Sequence, residues 1–307
     1  MRLVHANGIS IACETAGDPS GVPVLLVMGL GMQLIAWPDT FVDSLVDLGY
    51  YVIRFDNRDS GLSTKFDEHG APNLAWAFLK TLVRWPLKSV YTLEDMADDA
   101  VGVLDTFGVA KAHVVGASMG GMIGQLIASR HPQRVLSLVS IMSSSGRRGL
   151  PGPTREARAV LLKRPRKPSE RSSVIDHMVN TFRVIGSPAY PTPEKQLRER
   201  VARAIDRNVC PGGVARQMVA IAVSGDRSEY LAAIAAPTLV IHGAADPLVP
   251  LECGADTARH VPGARLEVIE GMGHDLPAPL IERLVALIDT HAQGKMRLDS
   301  IPHFEKQ

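Results

Sequence analysis

The chain has 307 residues, with 33 basic against 32 acidic side chains and a net charge of +1, which leaves no electrostatic footprint for nucleic acid or an anionic membrane. Its length fits one large α/β domain with an insertion, or two domains, and leaves ample chain for a buried sheet. Three widely spaced cysteines, Cys13, Cys210 and Cys253, form neither a disulfide framework nor a paired zinc motif, and read as idle thiols of a reducing compartment.

The N-terminus turns polar at Asn7-Gly8 before an apolar signal core forms, and no apolar run approaches the roughly 20 residues of a membrane span. The expectation is a soluble, cytoplasmic protein without stable membrane association, whose partner is a small neutral or mildly charged molecule. The segments 3–4 and 9–15 flank Asn7-Gly8, a hairpin signal, so the sheet is predicted to begin with an antiparallel pair. Further buried strands are predicted at Val22 to Val27, Tyr51 to Phe55, His113 to Val115, Val135 to Ile141, Thr238 to His242 and Leu266 to Ile269. Amphipathic segments such as Thr40 to Leu48, Leu93 to Phe107 and Met122 to Arg130 lie between them, the alternation of a parallel sheet covered on both faces.

Two stretches interrupt this alternation. Residues 66–92 hold Trp76, Phe78, Leu79 and Trp85 without a strand pattern, and read as a second flap or as packing on the sheet edge. Residues 146–229 are richer in helical patterns and Pro/Gly punctuation, and read as a helical insertion over the sheet. That leaves 1–145 and 230–293 as the core, with a polar tail over 294–307.

The chemistry centres on Gly116-Ala117-Ser118-Met119-Gly120. This pentapeptide follows a strand and precedes a helix, as needed for a sharp elbow that presents an exposed serine between residues with almost no side chain. A serine hydroxyl is protonated at neutral pH, so it needs a base, and the base needs a carboxylate to fix its tautomer. In doubly wound hydrolases these follow in the order serine, acid, histidine, each after a later strand. Asp246, after Thr238 to Ile241, is the candidate acid, with a turn-forming aspartate before Pro247 as the competing reading. Asp226 reads instead as a turn or cap residue. His274, between Gly273 and the last amphipathic helix, is the candidate base, whereas His260 and His291 fall in helix-like segments and His303 in the tail. Two backbone N–H groups must hold a developing oxyanion. One is that of Met119, and the other is assigned to Leu30 in Met28-Gly29-Leu30-Gly31-Met32, which otherwise reads as a plain tight turn.

With these motifs in place, the chain resembles the α/β-hydrolase fold superfamily. Val27-Met28-Gly29-Leu30-Gly31, Trp37-Pro38 and Arg54-Phe55-Asp56-Asn57-Arg58-Asp59-Ser60-Gly61-Leu62-Ser63 resemble bacterial esterases related to aclacinomycin methylesterase. The resemblance implies a mostly parallel eight-stranded sheet with helices on both faces and a helical cap inserted after the sixth strand. It implies a serine carboxylesterase acting on small to medium apolar esters, with a Ser118-His274-Asp246 triad and neither a metal nor an organic cofactor. The chain departs from the family where Met28 replaces the usual histidine and where Asp59 stands at a position that is frequently glycine.

Met178, Phe182, Ile185, Met218 and Ile221 of the insertion are the candidate substrate-binding side chains, each with packing inside the cap as the competing role. The basic cluster from Arg147 to Arg171 reads as a solvated face or as a preference for anionic substrates. A thioesterase, a prolyl-iminopeptidase-like peptidase, a carbon–carbon bond hydrolase or an acyltransferase would use the same triad, and a ligand receptor of this fold could retain it.

Overall fold

The computed structural model describes residues 1–83 and 85–294; the tail from Lys295, with His303, lies outside the described residues. Eight strands, β1 (Arg2–Ala6), β2 (Ile9–Ala16), β3 (Val22–Val27), β4 (Tyr50–Phe55), β5 (Ala112–Ala117), β6 (Val135–Ile141), β7 (Thr238–Gly243) and β8 (Arg265–Ile269), form one sheet in the order β1-β2-β4-β3-β5-β6-β7-β8. The pairs β1/β2 and β2/β4 are antiparallel and the rest parallel. Asn7 and Gly8 take φ of 48° and 78°, the left-handed pair that a two-residue hairpin needs.

The apolar runs are continuous because both faces of the sheet are covered. On β3, Leu25 and Val27 join one core with Val114 of β5, Met96 of α3 (Leu93–Thr106) and Ile123 of α4 (Met119–Arg130). Val24 and Leu26 point the other way, into a second core with Phe41 of α1 (Asp39–Asp47) and Leu284 of α11 (Ile281–Ala292). That period of two on a doubly covered sheet fixes the register, since a one-residue slip would exchange the two faces. Helix α3 begins with a capping box in which Thr92 and Asp95 satisfy each other's backbone N–H groups.

The strand-free stretch before α3 contains α2 (Leu74–Leu82), capped by Asn73. Between β6 and β7 run α5 (Arg155–Leu162), α6 (Arg171–Ile185), α7 (Glu194–Arg207), α8 (Pro211–Ser224) and α9 (Ser228–Ala232), and α10 (Leu251–His260) follows β7. Helices α6 and α7 have a small core of their own, Ile175, Val179, Leu197 and Val201. The inserted chain re-enters the main body at Arg227, a buried residue whose N–H donates to the Ser145 carbonyl and whose guanidinium donates to Gln125 and the Ser144 carbonyl.

Candidate active site

The end of β5 and the start of α4 form a turn so tight that its residues are chosen by space. A side chain at Gly116 would collide with the Gly120 carbonyl, one at Gly120 with the carbonyl of Val27, and one at Gly121 with Ser143. Ser118 therefore sits at φ 55°, ψ −120°, a left-handed conformation costing a non-glycine residue about 1–3 kcal/mol. The Ser118 N–H donates to the Ile141 carbonyl at 2.9 Å, and the Ser118 carbonyl accepts from Ser143 Oγ at 2.8 Å. The helix starts at Met119, three residues before the periodic pattern begins, because the Ser118 carbonyl also accepts from the N–H groups of Gly121 and Met122.

His274, in the loop after β8, places Nε2 3.0 Å from Ser118 Oγ, and its Nδ1 lies 2.7 Å from Asp246 Oδ2. An Asp246 carboxylate accepts, so Nδ1–H donates to it and Nε2 is left as an acceptor facing the Ser118 hydroxyl. Asp246 is fully buried and its other oxygen accepts from the N–H groups of Leu248 (2.9 Å) and Val249 (2.8 Å), which aims the carboxylate at the imidazole. Beside it, burial holds the His242 imidazole below its usual range, and its Nε2 donates to the Val249 carbonyl at 2.8 Å. His260 and His291 lie in α10 and α11 and bond to the carbonyls of Asp256 and Pro237, while Asp226 accepts from the Ser228 N–H in a turn.

Several backbone groups of the loop after β3 are held by hydrogen bonds. Asn57 Nδ2 donates to the Met28 carbonyl at 2.8 Å, and the Met32 N–H donates to the Gly29 carbonyl at 3.2 Å. The N–H of Gly31 donates to Gln217 Oε1 at 2.7 Å and that of Leu34 to Asp56 Oδ1 at 2.7 Å. Among the described residues, the N–H groups of Leu30 and Met119 have no acceptor. Gly29 packs against Ser118, so the loop that carries one free donor touches the residue that precedes the other.

Beside these residues a cavity of about 1380 Å³ opens between the sheet and the inserted helices. Met178, Phe182 and Met218 line it, with Ile35, Val214 and the segment 71–75 that leads into α2. Ile185 and Ile221 do not: Ile185 is buried and Ile221 packs on the α3/α4 core. Helical spacing put them among the cap's apolar residues but could not say which way each side chain turns. The cavity borders Gly31 and Asp275, one residue beyond Leu30 and His274, so it adjoins these candidate groups rather than being lined by them. Of the basic cluster, Arg164 and Arg171 reach the cavity wall, Arg171 while paired with Asp206, whereas Arg147 pairs with Asp256 and Lys167 with Glu170.

Asp59 has φ 66°, which explains why glycine suits this position, and its carboxylate accepts from Arg216 Nε (2.7 Å) and Nη2 (2.8 Å) and from the Tyr91 hydroxyl (2.6 Å). Asp59, Asp67 and Cys210 converge closely enough to suggest a cation site, but Arg216 already engages both carboxylates and burial pushes the Cys210 thiol up, keeping it protonated. No sequence signal singled out Gln217 and Ser187, which contact the site's loops from far along the chain, or Asp275, the loop residue that Ser187 binds.

A sequence profile of the alpha/beta hydrolase fold matches residues 22–277. The chain is 29% identical over 316 residues to a rhodomycin D methylesterase of Streptomyces sp. (strain C5), covering 95% of this chain and 98% of that protein. It is also 29% identical to a rhodomycin D methylesterase of Streptomyces peucetius, again over 95% of this chain and 98% of that one. A meta-cleavage product hydrolase from Pseudomonas fluorescens IP01 superposes with a TM-score of 0.74 at 20% identity, covering 96% of this chain and 98% of the other.

Proposed function

The chain belongs to the alpha/beta hydrolase fold family, and from that premise we propose that it is a serine esterase cleaving small to medium apolar carboxylic esters through an acyl-enzyme. One observation carries the reading: a hydrogen-bonded chain from Ser118 through His274 to Asp246, beside two backbone N–H groups without acceptors. The names of the two methylesterases bring methyl esters within the proposal. The cavity, lined largely by apolar side chains, is larger than a small acyl group needs.

Ser118 Oγ attacks the ester carbonyl carbon, the π electrons of the carbonyl move to its oxygen, and the hydroxyl proton passes to His274 Nε2. The N–H groups of Leu30 and Met119 stabilise the oxyanion, and Asp246 stabilises the imidazolium. As the carbonyl reforms, the bond to the alkoxy oxygen breaks and the leaving alcohol takes the proton from Nε2. Water then attacks the acyl-enzyme, gives a proton to His274, and releases the acid as Ser118 recovers its proton. The same proposal takes residues 1–145 and 230–293 as the hydrolase core and 146–229 as its cap. It takes 66–92 as a second flap, supported by the cavity-lining residues just before α2.

The test is a panel of nitrophenyl and methyl esters of increasing acyl length, with the wild type and Ser118→Ala. Turnover in the wild type with a loss of at least about 10⁴-fold in the variant is expected. Unchanged turnover in Ser118→Ala would refute the nucleophile, and cleavage of thioesters or carbon–carbon bonds in preference to esters would replace the substrate class.

A further inference from the structure

The inserted helices reach both loops that hold the reacting groups, and they do so with polar contacts rather than apolar cover. The segment after α6 lies along the histidine loop. Ser187 Oγ accepts from the Gly273 N–H at 2.9 Å and donates to Asp275 Oδ1 at 2.5 Å, while the Ser187 N–H donates to the same oxygen at 3.0 Å. Next to it, the His274 N–H donates to the Ile185 carbonyl at 2.7 Å and the Ala189 N–H to the Gly271 carbonyl at 3.2 Å. All five hydrogen bonds fall within Gly271 to Asp275, and His274 is in the middle. A side chain at Gly271 would strike Ala189, and one at Gly273 would strike the Gly186 carbonyl, so the two backbones are in direct contact.

A second contact comes from α8. Gln217 is fully buried, its Oε1 accepts from the Gly31 N–H at 2.7 Å, and its Nε2 donates to the Arg58 carbonyl (2.7 Å) and Ser60 Oγ (3.0 Å). This amide ties together the loop after β3 and the loop after β4, and it removes the N–H next to Leu30 from competition for an incoming oxygen. An amide oriented by three fixed partners has little freedom to rotate, so the peptide that carries the Leu30 N–H is held from one side.

We propose that Ser187 and Gln217 are positioning residues for the reaction: the inserted helices brace the histidine loop and the oxyanion loop at the same time, and stay docked through the catalytic cycle. This rests on the esterase reading for the roles of His274 and Leu30, but not for the bracing itself. Both act through backbone groups next to the reacting ones and touch no reacting atom.

The experiment compares wild type, Ser187→Ala, Ser187→Thr and Gln217→Met in nitrophenyl ester turnover and in labelling by a fluorophosphonate. In labelling, Ser118 Oγ bonds to phosphorus, the P–F bond breaks, fluoride leaves with the electron pair, and the serine proton passes to His274. Misplacing a reacting group by about 1 Å costs on the order of 100-fold. The expectation for Ser187→Ala and Gln217→Met is a fall of about 10- to 100-fold in kcat with KM within about threefold, a matching fall in labelling rate, and substantial recovery in Ser187→Thr, which keeps the oxygen. Folded variants that keep kcat and labelling within twofold of wild type, or whose loss falls entirely on KM, would overturn the proposal. If a variant does not fold, hydrogen exchange in the wild type decides: slow exchange at the Gly31 and Gly273 amides, before and after labelling, is expected, and loop-like fast exchange would overturn it. Should no ester be cleaved while Ser118 is still labelled, the esterase reading fails and the ratio of labelling rates still judges the brace.

Discussion

The serine elbow and the histidine loop stand 3.0 Å apart at their functional atoms, yet they are held by different means. The elbow is built from consecutive residues: three glycines remove the side chains that would collide, the strand and helix on either side are continuous with it, and Ser118 is forced into its left-handed conformation. The histidine loop depends on a partner 86 residues earlier in the chain, through Ser187 and Gly273, and on Asp246, 28 residues earlier. The candidate nucleophile is thus shaped first by its own turn, with Val27, Ile141 and Ser143 packed against it, while the candidate base is set by the way distant segments meet. The difference follows from reach: a tight turn has few allowed shapes, whereas a loop carrying an imidazole needs outside contacts to select one.

The largest effect that would sharpen this contrast is expected on the long-range side. Asp246→Asn keeps the shape but offers His274 Nδ1–H an amide that can turn its NH₂ toward the ring and so favour the wrong tautomer; about a 10⁴-fold loss in kcat is expected, with a stable fold by thermal melting. A loss below tenfold would mean that His274 is oriented by its loop alone. At the elbow, Gly120→Ala would place a methyl group against the Val27 carbonyl, where no flexible side chain can yield. It is expected to reduce stability by about 3 kcal/mol or more in urea unfolding, with activity falling in the protein that remains folded. If Gly120→Ala unfolds at the same urea concentration as wild type, the elbow is less constrained than its packing requires.

The smallest effect concerns the strand that delivers the elbow. His113 on β5 is buried with Nδ1 2.8 Å from Ser137 Oγ, and burial lowers its pKa from 6.5 to about 4. The folded state thus resists a proton that the unfolded chain accepts, so the stability from keeping His113 neutral is complete above pH 6.5 and is lost as pH falls toward 4. Between pH 7.5 and pH 5 this one residue is expected to remove about 2 kcal/mol of stability. His113→Phe should flatten the curve by that amount in urea titrations at the two pH values. An unchanged slope would assign the acid sensitivity to the buried His242 and the half-buried His291, which burial also holds low.

Much of the sheet could be read along the chain because its strands are buried on both faces and stand out as short apolar runs between amphipathic helices. The segment 22–27 was legible to the residue, and the hairpin followed from Asn7-Gly8. Ser118, Asp246 and His274 were legible because each follows a strand in a fixed order, and the structure brings the three within hydrogen-bond reach. The inserted helices were far less so. Apolar residues at helical spacing face either their own small core or the cavity, and periodicity cannot tell Met178 and Phe182, which line the cavity, from Ile185, which does not.

The sequence by itself determined the alternation of strands and helices, the elbow and the order of the three catalytic candidates, since these depend on local sterics and on hydrophobic pattern. Only the tertiary structure decided that Asp59 is the partner of Arg216, that Gln217 takes the Gly31 amide, and that Ser187 grips the histidine loop. Such contacts join residues that are 86 to 186 positions apart and rest on a few hydrogen bonds whose partners leave no periodic trace in the chain.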